Sequence, residues 1–213
     1  MSRRFSLFLP LLFLAIAPSG LRAADSAKVA NNPSPLSPVE QEWATLQANS
    51  RPRSGRIQTG PDAASRAAIL RQEIGGHLRQ AERLKAFGTK YPADTHAHEA
   101  RALETMELLY AAQEGDTTQA DRRTTLVAEV RADPKLTERQ RSQVAAFSDN
   151  LDVAMRPGLT RDQRLAAFEQ TLRKLIKEFP DIPEGYKSML QLAASSTEAH
   201  AQTMARELLS LCA

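Results

Sequence analysis

The chain has 213 residues, 42% hydrophobic, 25% charged and 5% aromatic, the proportions of an ordinary folded protein rather than a disordered tail or a membrane bundle. Its formal net charge of +3 comes from one segment, because residues 1–23 hold Arg3, Arg4 and Arg22 and no acid, leaving 25 bases against 25 acids. That balance argues against a nucleic-acid partner, and a single cysteine excludes an internal disulfide framework and a multi-cysteine zinc site.

Met1–Ala23 has the pattern of a secretory signal peptide. Arg3 and Arg4 form a basic start, Phe5–Ala17 is an apolar run, Pro18 and Gly20 break it, and Ala23 is the small residue at the cut. The run is shorter than the roughly 20 residues of a membrane span. The expectation is an exported protein, periplasmic or secreted, cleaved after about Ala23 and left without a stable membrane anchor.

Residues 24–61 read as a Pro-rich linker carrying one short helix. Pro33, Pro35 and Pro38 forbid a continuous helix around them, whereas Ser37-Pro38-Val39-Glu40 combines a capping hydroxyl, a proline at the first helical position and an acid that closes a capping box. That helix is predicted to reach about Ala48, with Val39, Trp43 and Leu46 on one face. Arg51-Pro52-Arg53-Ser54-Gly55-Arg56 reads as a solvated basic stretch.

Residues 62–213 read as helix throughout, with no alternating strand pattern. Asp62–Phe87 carries Ala67, Leu70, Ile74, Ala81 and Leu84 and is expected to stop at Gly88. Its internal Gly75-Gly76 costs about 1 kcal/mol per glycine relative to alanine, which a kink or close packing would explain. Thr95–Glu114 presents Ala102, Met106, Leu109 and Tyr110 inward and stops at Gly115; Thr117–Arg131 presents Leu126, Val127 and Val130 and closes at Asp133-Pro134.

The next two helices open alike, on Leu136-Thr137-Glu138-Arg139-Gln140-Arg141 and Leu159-Thr160-Arg161-Asp162-Gln163-Arg164, each a Thr cap with Gln three residues on. The first carries Val144, Phe147, Leu151 and Met155; the second carries Leu165, Phe168, Leu172, Leu175 and Ile176. Pro183–Ala194 follows with Tyr186, Met189, Leu190 and Ala193. Ser195-Ser196-Thr197-Glu198 then caps a last helix bearing Ala201, Met204, Ala205, Leu208 and Leu211. Short connections predict antiparallel hairpins. The pairs Tyr91-Pro92 and Phe179-Pro180 mark two similar helix–aromatic-Pro–helix units, so the fold class expected is all-α, a tetratricopeptide-like stack of antiparallel hairpins after a signal peptide and flexible linker.

Chemistry-bearing motifs are few. Asp94-Thr95-His96-Ala97-His98-Glu99 has metal-ligand residue types, but helical positions two apart diverge and Asp94 and Thr95 suit a helix cap. Glu99, Glu104, Glu107 and Glu114 share a helix, each beside basic or solvated neighbours. No catalytic, cofactor-binding or metal-binding residue is assigned, and no cofactor is expected. Cys212 is the candidate for an intermolecular disulfide, set against a core role beside Leu208 and Leu211.

Ala86-Phe87-Gly88-Thr89-Lys90-Tyr91-Pro92, Arg131-Ala132-Asp133-Pro134-Lys135-Leu136-Thr137, Leu175-Ile176-Lys177-Glu178-Phe179-Pro180 and Tyr186–Ala193 together resemble the helical N-terminal region of exported thioredoxin-like (TlpA-type, redoxin) proteins. There such a region precedes a thioredoxin domain with a Trp-Cys-x-x-Cys site. The resemblance spans residues 62–211; no Cys-x-x-Cys occurs here, so no active-site residue carries over. Two functions are therefore expected: an exported non-enzymatic helical scaffold for a protein partner, or the accessory region of a thiol-disulfide oxidoreductase.

Overall fold

The computed structural model describes residues 36–50, 62–194 and 202–206, all within the second of two compact units, Leu36–Ala213. The signal peptide expected at 1–23, the basic stretch at 51–56 and Cys212 lie outside the described residues.

The described residues are all-α: α1 (Pro38–Asn49), α2 (Ala63–Lys90), α3 (His96–Gln113), α4 (Ala120–Ala132), α5 (Glu138–Met155), α6 (Arg161–Glu178) and α7 (Pro183–Ala194), with residues 202–206 also helical. The capping boxes predicted at Ser37, Thr137 and Thr160 all form, each hydroxyl accepting the N–H of the third helical residue while that residue's side chain returns to the cap N–H.

The ends of α2, α4 and α6 follow one rule. Tyr91, Asp133 and Phe179 each precede a proline, which expels them from helical backbone geometry. Each then accepts the N–H three residues on, from Asp94, Leu136 and Ile182, closing a turn with proline at its second position. This is why α2 runs through Gly88, the expected stop, to Lys90. At Gly88 a Cβ would stand 3.8 Å from the Ala97 carbonyl, an ordinary contact, so α3 passes close by without requiring glycine there. Gly115 does follow its helix in left-handed backbone (φ 102) as a terminating glycine should. The helix expected from Thr117 begins at Ala120, since Asp116 folds back to accept the N–H and hydroxyl of Thr118.

Consecutive helices pack on one another in sequence, and α3 also touches α5. Enclosed by α2 on one side and α4 and α5 on the other, α3 buries nine residues around most of its circumference. The central core joins Ala102 and Leu109 of α3, Val130 of α4, and Val144 and Leu151 of α5. A C-terminal core joins Leu172 and Ile176 of α6 with Met189 and Ala193 of α7 and Met204.

The short helix predicted within the linker is docked. Trp43 and Leu46 of α1 are buried with Leu84, Phe87 and Ala100, and the Trp43 ring stacks on His96 at 4.8 Å. Gln80 donates to the Leu46 carbonyl and the Ser50 hydroxyl, while Glu42 accepts from Lys90 and the Tyr91 hydroxyl.

Three large residues expected inward are exposed, as is the small Ala67. Leu190 is 54% exposed because α7 has α6 as its main helical neighbour; Met155 (47%) is the last residue of α5; Leu70 (38%) lies where α2 outruns the shorter α3.

Candidate functional site

Between α2, α3 and α4 lies an open groove of about 550 Å³. α3 supplies its floor through His98 and Arg101, α2 one wall through Lys85 and Thr89, and α4 the other through Leu126 and Glu129.

Its walls are tied together by charge. Arg122 of α4 crosses to α3, donating Nε and Nη2 to one oxygen of Glu104 at 3.1 and 2.7 Å, and its Nη1 reaches Glu82 of α2. Glu104 is only 5% exposed, and burial pushes its carboxyl above the ordinary range while Arg122 pulls it back. At the opposite end, His98 Nδ1 meets Asp133 Oδ2 at 2.5 Å, and Asp133 Oδ1 accepts the Lys135 N–H. Burial alone would raise the Asp133 carboxyl; those two hydrogen bonds, together with the electrostatic pull of His98 and Arg101, outweigh it and hold it below its usual value. A third link, His77 Nδ1 to Glu107 Oε2 at 2.7 Å, joins α2 to α3 behind the floor. Arg101 of α3 and Glu129 of α4, both 46% exposed and 3.7 Å apart, form a loose pair between floor and wall. Thr89 and Thr125 turn their hydroxyls onto the carbonyls of Lys85 and Asp121, four residues back in their own helices.

The Asp94–Glu99 cluster does not converge on one point, although His96 Nδ1 stays 3.6 Å from Glu99 Oε2. Asp94 caps α3 by accepting the His96 N–H, Thr95 makes no capping bond, His96 turns to Trp43, and His98 turns to Asp133. Among the described residues no group of three or more His, Cys, Asp or Glu could hold a metal.

Glu104 and Glu107, expected beside basic or solvated neighbours, are buried and bonded to partners on other helices. The signal was in their register: with Ala100, Leu108 and Ala111 they occupy the strip of α3 that faces α2. A second charged knot joins α4, α5 and α6. Arg131 donates to Asp149 at 2.8 Å and pairs with Glu178, and Lys174 stands 3.5 Å from Asp149 Oδ2.

Among the described residues no helix is long and apolar enough to cross a membrane. Neither a family model, nor a curated protein, nor a solved structure matches the chain.

Proposed function

We propose that the chain is an exported, non-enzymatic helical module that binds a protein partner, built as a tetratricopeptide-like stack, with the α2–α3–α4 groove as the seat of the partner's segment. The observation that carries this reading is the groove itself, an open channel walled by three helices whose inner charges are spent on holding those walls together. Stapled walls present rim side chains without reorganising, which lowers the entropic cost of binding. Export rests on the sequence pattern of residues 1–23.

A photoreactive residue at Thr89 or Thr125 in the native cells tests the groove, with Lys187 as a distant control. One discrete adduct from both groove positions, reproduced with the purified partner and lost in Arg101→Glu, is the expected result. No adduct at either position, or the same adduct from Lys187, would overturn it. N-terminal sequencing of the protein from its native cells tests export: a start near Ala24 is expected, and retention of Met1 would refute cleavage.

A further inference from the structure

The near-neutral composition hides a separation of charge. α2 holds six cations and two carboxylates, whereas the stretch from His96 to Ala132 that forms α3 and α4 holds seven carboxylates and four arginines. All six α2 cations are exposed. Lys90 is paired with Glu42, but Arg66, Arg71, Arg79, Arg83 and Lys85 form no ion pair with any described residue. The α2 acid nearest them, Glu82, is taken by Arg122.

At 100° per residue, Arg71, Arg79, Arg83 and Lys90 fall within about a third of the α2 circumference, opposite the face that buries Gln80, Ala81, Leu84 and Phe87. From Arg71 to Arg83 the row runs about 18 Å at 1.5 Å per residue. Arg79 and Arg83 are four apart, where like charges repel when nothing stands between them. Gly75 shapes the row as well: a Cβ there would meet Arg79 Nη1 at 3.2 Å, so the guanidinium lies back along the helix over the glycine.

We propose that this solvent face of α2 is a docking surface for an acidic partner protein, whose carboxylates pair with Arg71, Arg79 and Arg83. The inference rests on the interaction-module reading and names the partner's chemistry. Guanidinium groups pair with carboxylates in a bidentate fork, and arginine at i and i+4 repeats about every 6 Å, the spacing of glutamates at i and i+4 on a facing helix. Between Arg71 and Arg83 the face carries Gln72, Gly75 and Glu82, with Ala68 and Ala86 beyond the two ends, so it offers a bilayer no large apolar side chain to insert.

Fluorescence anisotropy with the full chain tests this in about 50 mM salt, where surface charge is weakly screened. The probe is a capped 21-residue alanine-based helix with glutamate at every fourth position; the comparisons are its glutamine counterpart, vesicles of phosphatidylcholine and phosphatidylglycerol, and a 20-base-pair DNA duplex. The glutamate helix is expected to bind at least tenfold more tightly than the glutamine helix, and Arg79→Ala/Arg83→Ala to weaken it at least tenfold with unchanged helicity and Tm, while Lys187→Ala does not. Equal binding of the two helices, or indifference to the double substitution, would overturn the proposal. Tighter binding of vesicles or duplex would reassign the surface to lipid or nucleic acid, and a dimer abolished by the double substitution would reassign it to a second copy. Failure here with the groove adducts intact would retire this surface and leave the interaction module standing.

Discussion

At the scale of single residues, buried charge decides most. Glu104 is 5% exposed and its principal cation is Arg122, which reaches it from another helix. Truncating Arg122 strands a carboxylate that burial already disfavours, so Arg122→Ala is expected to cost about 3 kcal/mol, measured by urea unfolding at pH 7. A loss within a few tenths of a kcal/mol would show that the pair does not hold the groove walls. Glu114 has a raised carboxyl as well, and here removing the charge is the favourable change. It sits at the C-terminal cap of α3, where the helix dipole disfavours negative charge. Burial first, and then Glu73, push its carboxyl above the ordinary range, with His77 opposing them. A carboxyl raised on folding binds its proton more tightly in the folded state. Its favourable contribution is therefore complete below the unfolded value near 4.3 and is lost as pH rises through the folded value. Glu114→Gln should accordingly match the parent at pH 3 and exceed it in Tm at pH 7; a gain of the same size at both pH values would contradict this account.

At the scale of helices, two glycines separate backbone cost from packing. At Gly75 a new methyl group meets only the far end of Arg79, which can move. Gly75→Ala therefore collects the helix-propensity gain of about 1 kcal/mol. At Gly185 the methyl would stand 3.0 Å from Ile176 Cγ1, inside the α6–α7 contact. Overpacking of that kind costs about 1–3 kcal/mol, so Gly185→Ala is expected to destabilise despite the same propensity gain. Thermal unfolding of the two variants side by side should shift Tm in opposite directions, and parallel shifts would refute the distinction. The sequence made the helices and most of their starts legible, because Thr137 with Gln140 and Thr160 with Gln163 are local signals that need no tertiary context. Gly88 was misleading since the turn belongs to Tyr91-Pro92, and glycine ends a helix only where left-handed backbone is needed. The docking of α1 was half legible: Trp43 and Leu46 were on one face, but their seat on Phe87 and His96 is a contact across some 40 to 50 residues.

At the scale of the molecule, the candidate groove escaped the sequence because it is made between elements. Lys85, His98, Arg101 and Glu129 form no motif, and the folding of α2, α3 and α4 onto one another brings them together. The same serial packing makes stability local. α3 is held from several sides, whereas the C-terminal core rests on Leu172, Ile176, Met189 and Ala193 with Met204. In a chain of neighbour contacts, losing an end unit removes little from the middle, as in repeat proteins. Met189 is 3% exposed, and truncating such a side chain typically costs 2–5 kcal/mol. Met189→Ala is therefore expected to release the amides of α6 and α7 to hydrogen exchange while those of α2 and α3 keep their protection. Equal loss of protection from α2 to α7 would mean that the stack unfolds as one cooperative block, and that the groove's stability depends on the C-terminal hairpin as much as on its own walls.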